Sequence, residues 1–236
     1  MLCKNLGELL IIAKDNGLTT MIVTNGFLLA RHNGIKFLER YGSYIDWIGL
    51  SVDSNDSNKE KLLGRGFGRH VEDAIQAVRN IRRYASHIKI KLNTVITKLT
   101  WNDDMSSLLE EIKPDRWKVF ALKIVENAND SPEILELVPD PEMVTSFINR
   151  HKKYNPSLET EEDMTLSYLM IFPDGNFYVD IPGKGYSLIG GIREACSNPL
   201  IWRVRERLRK RGGIYEWSEP RSGELKLRWF QNGRKR

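Results

Sequence analysis

Along the chain, helical and alternating patterns of apolar residues take turns. Leu6, Leu9, Leu10 and Ala13, closed by Asn16-Gly17, predict an amphipathic helix with a glycine C-cap. The β-branched run from Thr19 to Thr24, ended by Asn25-Gly26, predicts a strand. Leu28 to Tyr41 reads as a helix with Leu28, Leu29, Ile35, Leu38 and Tyr41 on its inner stripe, and Trp47 to Val52 as a strand. Asp53 to Lys61 reads as a polar loop, and Gly64-Arg65-Gly66-Phe67-Gly68 as a glycine-rich loop ahead of a helix from Val71 to Tyr84. A strand over 88–96 follows, then a helix capped by Asn102 or Asp103 and stopped after Ile112 by Pro114, then a strand over 116–124. This alternation predicts parallel strands joined by right-handed helical crossovers.

Beyond residue 130 the pattern changes. Pro132 to Pro141 is irregular, Glu142 to Lys153 helical, and Asn155 to Glu162 polar and loop-like. Tyr168 to Phe172 and Phe177 to Ile181 flank Pro173-Asp174-Gly175-Asn176, a hairpin signal because proline presets the turn and glycine accepts positive φ. Leu200 to Lys210 is a basic helix stopped by Gly212-Gly213.

Two of the predicted strands depart from the rule for parallel sheets, whose strands are buried on both faces and nearly all apolar. With a period of two, Ile88, Ile90, Leu92, Thr94 and Ile96 share one face, whereas Lys89, Lys91, Asn93 and Val95 share the other. In the next strand Arg116, Lys118 and Phe120 alternate with Trp117, Val119 and Ala121. Polar groups on a buried face cost several kcal/mol unless something polar meets them. Neighbouring strands that aim cations at one side therefore suggest an anionic ligand.

Charge sharpens the picture. The chain carries net +5 over 236 residues, but residues 199–236 hold 12 Lys/Arg against 4 Asp/Glu, while the remainder holds 24 against 27. A basic C-terminal segment calls for an anionic partner, phosphate or nucleic acid, or for a solvated surface. Clustered Arg without regular aromatic interleaving weakens the nucleic-acid alternative. The cysteines, Cys3 and Cys196, give neither a disulfide framework nor a metal site, and the four histidines show no metal spacing. No apolar run approaches the ~18 residues of a membrane span, and no secretory signal opens the chain, so a cytoplasmic location is expected.

Ligands of α/β sheets bind at the carboxyl ends of strands, where Asn25, Ser51, Asp53, Lys91, Asn93, Arg116 and Lys118 collect. Plainer alternatives exist for each: Asn25 as a turn residue, Ser51 as packing, the cations as an ion-pair network with Asp53 or as an edge face in water. Arg offers phosphate a fork and Lys a point charge. Gly64-Arg65-Gly66 lacks the lysine-serine ending of a P-loop.

The ordered set Thr24-Asn25-Gly26, Leu50-Ser51-Val52-Asp53-Ser54, Gly64-Arg65-Gly66 with His70, Lys91-Leu92-Asn93-Thr94-Val95-Ile96 and Arg116-Trp117-Lys118-Val119-Phe120 resembles the viperin family. Ser167-Tyr168-Leu169, the stretch from Lys210 to Ser218, and Leu225-Lys226-Leu227-Arg228-Trp229 extend the resemblance over nearly the whole chain. The lack of a membrane-binding amphipathic helix is similar to the prokaryotic branch. The resemblance implies an α/β fold, a partial (β/α)6 TIM-like barrel of the radical S-adenosylmethionine type. It implies a radical-barrel part over 1–130 and a barrel completion and nucleotide-covering extension over 131–236. It implies an antiviral enzyme, a lyase, that converts CTP, GTP or UTP to a 3′-deoxy-3′,4′-didehydro nucleotide. The cofactors implied are S-adenosylmethionine and a 4Fe–4S cluster, the electron donor a flavodoxin or ferredoxin. By motif, Asn25, Ser51 and Arg65 would contact S-adenosylmethionine. Lys91, Asn93, Arg116, Lys118, Lys184 and Arg211 would bind the nucleotide, and Tyr168 would lie by the ribose as the catalytic residue. The family's Cys-x3-Cys-x2-Cys loop and Gly-Gly-Glu-Pro motif do not occur in the sequence. The chain is therefore expected to be the C-terminal part of such an enzyme, lacking the N-terminal strand or strands, without the cluster ligands and inactive alone. A non-catalytic nucleotide-binding or interaction protein on the same scaffold is the alternative.

Overall fold

The computed structural model describes residues 4–125, 128–159, 161–164, 166–181 and 184–210. In chain order these form α1 (Leu6–Asp15), β1 (Met21–Thr24), α2 (His32–Tyr41), β2 (Trp47–Ser51), α3 (Ser57–Leu62), α4 (His70–Tyr84), β3 (Lys89–Ile96), α5 (Ser106–Ile112), β4 (Arg116–Ala121), α6 (Pro132–Leu135), α7 (Pro141–Arg150), β5 (Ser157–Glu159), α8 (Glu161–Met164), β6 (Leu169–Ile171), β7 (Phe177–Ile181), β8 (Gly185–Gly190), α9 (Ile192–Ser197) and α10 (Pro199–Lys210). The strands β1 to β5 form one parallel sheet whose spatial order is the chain order, and β6 to β8 form an antiparallel sheet.

The alternation seen in the sequence decides which face of the parallel sheet is apolar. Ile48, Leu50, Ile90, Leu92, Trp117 and Val119 pack with Ala74, Ala77, Val78 and Ile81 of α4, Leu108, Leu109 and Ile112 of α5, and Phe147 of α7. Each such side chain contributes about 1.5–3 kcal/mol when fully buried. Trp117 settles its own polar atom by donating from Nε1 to Thr94 Oγ1 (3.0 Å), and Thr94 donates to the Val52 carbonyl (2.8 Å). The helices thus cover one face and leave the other, carrying Lys91, Asn93, Arg116 and Lys118, to a different fate.

Several expected boundaries move for local reasons. The helix foreseen from Leu28 begins at His32, because residues 27–30 make a separate turn and Arg31 is extended (φ −120°, ψ 166°). The polar loop foreseen at 53–61 contains α3, capped by Asp56, whose carboxylate accepts from the Asn58 N–H (2.8 Å). Neither Asn102 nor Asp103 caps α5. Asp104 Oδ1 accepts the Ser106 N–H (2.9 Å), while Asp103 is buried between Ser54 and Lys59, and Asn102 accepts from Arg150 (2.8 Å). The irregular segment foreseen from Pro132 holds the one-turn α6, and the polar loop foreseen from Asn155 holds β5. The expected hairpin forms as β6 and β7, with Gly175 at φ +78° in its turn. A third strand, β8, and α9 complete that layer around a small core of Val179, Ile189, Ala195 and Val204. Lys123, just past β4, pairs with Asp180 of β7 and ties the two sheets together. Among the described residues no helix is long and apolar enough to cross a membrane.

Candidate nucleotide and cofactor site

Register places the polar face in rows. Lys91 stands beside Arg116; Asn93 stands beside Lys118, which stands beside Ser157; Val95 stands beside Phe120, which stands beside Glu159. Successive same-face rows lie about 6.6 Å apart along the strands, so the Lys91 row sits deepest and the Glu159 row at the carboxyl end. The cations are not splayed into solvent. Lys91 is 5% exposed, Lys118 2% and Asn93 8%, and Arg116 is half-buried.

Their mutual proximity shows in their chemistry. Burial pushes the Lys91 ammonium down to about 8, Lys118 and Arg116 add repulsion, and Glu159 offsets part of it. Lys118 forms a buried ion pair with Glu159, itself 2% exposed. Tyr168, entering from the segment before β6, accepts from Lys118 Nζ (3.1 Å) and donates to Glu159 (2.9 Å). The Lys118 ammonium also lies 5.1 Å from the Phe120 ring centroid and 5.8 Å from that of Tyr168. Asn93 Oδ1 is buried with no hydrogen-bond partner. Gly49, beside Lys91 in the sheet, keeps that side open: a Cβ there would come within 3.1 Å of Asn93 Nδ2. This arrangement can hold a polyanion.

The carboxyl ends of β1 and β2 are built differently. Glu60 of α3 is fully buried and accepts from the N–H groups of Asp53 (2.6 Å) and Ser54 (2.5 Å) and from His70 Nδ1. His70 Nε2 donates to the Asn25 carbonyl (3.0 Å). Arg65, from the glycine-rich loop, pairs with Asp53, whose other oxygen accepts the Val95 N–H (2.8 Å). Burial raises the Asp53 carboxyl from its ordinary value, with Arg65 opposing the rise. Asp53 is therefore Arg65's partner, and the plainer alternative of a network between Asp53 and the strand cations does not hold. Asn25 is exposed and its Oδ1 accepts from Phe27 N–H (3.2 Å), a turn role that leaves the rest of its amide facing outward; Ser51 is half-buried beside Asn93.

Other candidates fall outside this cluster. Lys184 is exposed in the turn between β7 and β8, where its N–H donates to Ile181 (3.0 Å). Arg211 lies outside the described residues. A groove of about 710 Å³ opens at the amino ends of β4 and β5, lined by Lys113, Pro114, Tyr154 and Pro156 among others, and shares only Arg116 with the candidates. The sequence pattern missed Glu60, Glu159 and the structural part of His70. Glu159 sits in a three-residue strand with a single apolar residue, too short for alternation to mark; Glu60 is one acid in a charged stretch whose burial only the fold reveals.

The described residues do not fit an iron–sulfur cluster. They include no group of three His, Cys, Asp or Glu residues placed to hold a metal ion, and Cys196 is a lone exposed thiol on α9. They do fit a small polar cofactor. Asn25, Ser51 and Arg65 line the carboxyl ends of β1 and β2, the orphaned Asn93 oxygen lies in the row of Ser51, and Gly49 leaves room beneath.

No family model matches the sequence. The fold is similar to that of a crystal structure of Streptococcus suis SuiB bound to S-adenosylmethionine, with TM-score 0.55 and 18% identity over 86% of this chain and 53% of that one. Fold and site together thus define an α/β protein built on a parallel sheet, with a cluster of buried cationic side chains on the sheet face opposite the helices. The chain is 35% identical over 224 residues to an S-adenosylmethionine-dependent nucleotide dehydratase of Flammeovirga pacifica, covering 92% of this chain and 74% of that protein. It is 32% identical over 235 residues to one of Lacinutrix mariniflava, covering 96% of this chain and 48% of that protein. The chain belongs to the S-adenosylmethionine-dependent nucleotide dehydratase family, the viperins.

Proposed function

We propose that the chain binds a nucleoside triphosphate, CTP, GTP or UTP, at the cluster of Lys91, Asn93, Arg116 and Lys118, with Lys184 and Arg211 as further nucleotide-binding residues. The product is the 3′-deoxy-3′,4′-didehydro nucleotide, formed with loss of water in antiviral defence. The observation that carries this reading is the burial of Lys91 and Lys118 on one sheet face beside the half-buried Arg116, with Glu159 paired to Lys118. Buried charges are kept only where paired or met by a ligand, and an anion of about four charges is the natural complement. The sequential order of five parallel strands supports reading the sheet as part of a (β/α)6 barrel rather than a doubly wound sheet. Residues 1–130 would form that radical-barrel part, and 131–236 its completion.

In this reading Asn25, Ser51 and Arg65 hold S-adenosylmethionine beside the nucleotide. When bound, it supplies the radical chemistry, with a one-electron donor such as flavodoxin or ferredoxin. The chain's own residues do the rest. Lys91, Arg116 and Lys118 bind phosphate oxygens, Tyr168 presents a hydroxyl held between Lys118 and Glu159, and the helix-backed sheet excludes water. No step is assigned to a cluster, which the described residues do not fit.

The test is calorimetric titration of the full chain with CTP, GTP and UTP. Binding that weakens with salt and is weaker in Lys91→Met is expected; absence of binding to all three overturns the reading. The missing ligand set among the described residues favours one second reading, a nucleotide-binding protein without catalysis. Anaerobic incubation with iron, sulfide, a reductant and S-adenosylmethionine separates the two: triphosphate binding without release of 5′-deoxyadenosine supports the second.

A further inference from the structure

Asn25, Ser51 and Arg65 stand on three different segments: the turn after β1, the end of β2 and the glycine-rich loop. One buried ring is tied to all three. His70, the first residue of α4, donates from Nε2 to the Asn25 carbonyl (3.0 Å) and from Nδ1 to Glu60. Glu60 in turn accepts the N–H groups of Asp53 (2.6 Å) and Ser54 (2.5 Å), which lead the chain away from Ser51. Arg65 Nε lies 4.0 Å from the same carboxylate. Gly66, at φ +65°, clears space for the ring, since a Cβ there would stand 3.2 Å from His70 Cβ.

The partners fix the protons of the ring. A carbonyl only accepts, so Nε2 carries one. Glu60 is an acceptor toward the backbone and toward the ring alike, so Nδ1 carries one too. A buried pair of this kind adds little stability, because desolvation offsets most of the attraction and apolar side chains of like volume often serve as well. What it supplies is direction. A ring that donates at both ends fixes the line from Asn25 to Glu60, as a buried acid fixes the histidine of a triad or a metal site.

We propose that His70 is a positioning residue for S-adenosylmethionine. Through the Asn25 carbonyl on one side and Glu60 on the other, it sets the three segments that present Asn25, Ser51 and Arg65 to the cofactor. The inference rests on the cofactor reading above and adds to it the residue that keeps those three contacts in register. His70 itself does not meet the cofactor, because the ring is buried and both of its nitrogens are taken.

The experiment takes the full chain through three measurements: calorimetric titration with S-adenosylmethionine and with the tightest-binding of CTP, GTP and UTP, a denaturation curve, and NMR of the histidine ring nitrogens. In the unmodified chain both nitrogens of His70 are expected to carry protons at neutral pH. His70→Phe keeps a flat ring and removes both donors. Its S-adenosylmethionine affinity is expected to fall at least tenfold, while triphosphate affinity stays within about twofold. Glu60→Gln keeps an acceptor for the two N–H groups and a partner for Nδ1, so a neutral His70 still reaches the Asn25 carbonyl. It is expected to lose no more than about threefold in S-adenosylmethionine affinity, with a proton on His70 Nε2 alone. A folded His70→Phe that binds S-adenosylmethionine as tightly as the parent overturns the inference while the cofactor reading stands. So does an equal loss for both ligands, which makes His70 a stabiliser of the fold at large. So does an unmodified chain whose His70 Nε2 carries no proton, a result that needs no variant to fold. An unmodified chain that does not bind S-adenosylmethionine overturns the cofactor reading, and the inference with it.

Discussion

The two ends of the parallel sheet bury ionisable groups to the same depth and treat their charges in opposite ways. At the carboxyl ends of β1 and β2, every buried acid meets a donor of the chain itself: Glu60 meets His70 and two backbone N–H groups, and Asp53 meets Arg65 and Val95 N–H. At β3 and β4, Lys91, Arg116 and Lys118 crowd together around Glu159. The first arrangement is complete within the chain and holds three loops in place. The second gathers like-charged groups on neighbouring strands, and such a gathering is what an anionic ligand can meet. Buried charge therefore has two meanings in one molecule, and the balance of signs tells them apart.

The sharpest way to break the comparison is to remove the hub of the complete network. Glu60→Ala leaves His70 and two N–H groups buried without their acceptor, and breaking a buried pair in this way costs about 3–5 kcal/mol. Chemical denaturation should show a loss of that size, along with loss of S-adenosylmethionine binding as the loops carrying Asn25 and Arg65 come free. A variant as stable as the parent would mean that the network is decoration.

Arg116→Ala attacks the other end and should do the reverse. A charge-assisted hydrogen bond contributes about 1.5–3 kcal/mol, so triphosphate affinity should fall roughly ten- to a hundredfold. Stability should change little, because a like-charged neighbour of Lys91 has gone and Lys91 should titrate higher. Calorimetry and a denaturation curve on the same sample decide it. A stability loss matching that of Glu60→Ala would erase the distinction between the two ends.

Much of this contrast was legible before any coordinates. The strand alternation of Ile90, Leu92, Trp117 and Val119 against Lys91, Asn93, Arg116 and Lys118 is a local property with a period of two, and the structure keeps it. The alternation of helices and strands likewise carried the parallel sheet. What stayed hidden was long-range. Glu159 is separated by 41 residues from the lysine it pairs with, in a strand of three residues, and becomes visible only once β5 pairs with β4. Glu60 lies seven residues from Asp53 in a stretch that reads as solvated, and only the folding back of α3 buries it. Asn102 and Asp103 both suit a cap by sequence context, but the Asp103 carboxylate is drawn away by Ser54 and Lys59 and Asn102 accepts from Arg150.

pH gives a smaller effect with a definite sign. Lys91 titrates near 8 in the folded chain against 10.5 when unperturbed. Between those values the unfolded chain binds more protons, so stability should rise with pH through the window from about 8 to 10.5, the charged form being the disfavoured one in the fold. Triphosphate binding should run the opposite way, because it needs Lys91 charged. Affinity should fall above pH 8 by up to about tenfold per pH unit, and Lys91→Met should flatten the dependence. A flat profile in the unmodified chain would mean that Lys91 does not meet the ligand.

The smallest effect sharpens the comparison most finely, because it tests whether the first end is a scaffold and nothing else. Asp56 caps α3 and touches neither pocket; its carboxylate accepts the Asn58 N–H at 2.8 Å. Asp56→Ala should cost about 1 kcal/mol, the ordinary worth of an N-cap, by loosening the one short helix that presents Glu60. If the loops at β1 and β2 depend on that helix, S-adenosylmethionine affinity should fall by a few-fold while triphosphate affinity holds, since the cations stand on β3 and β4 and owe nothing to α3. Parallel weakening of both ligands would show the two ends to be mechanically one. Weakening of neither, with the 1 kcal/mol still lost, would show that Glu60 is held by its own buried hydrogen bonds more firmly than by the helix that carries it.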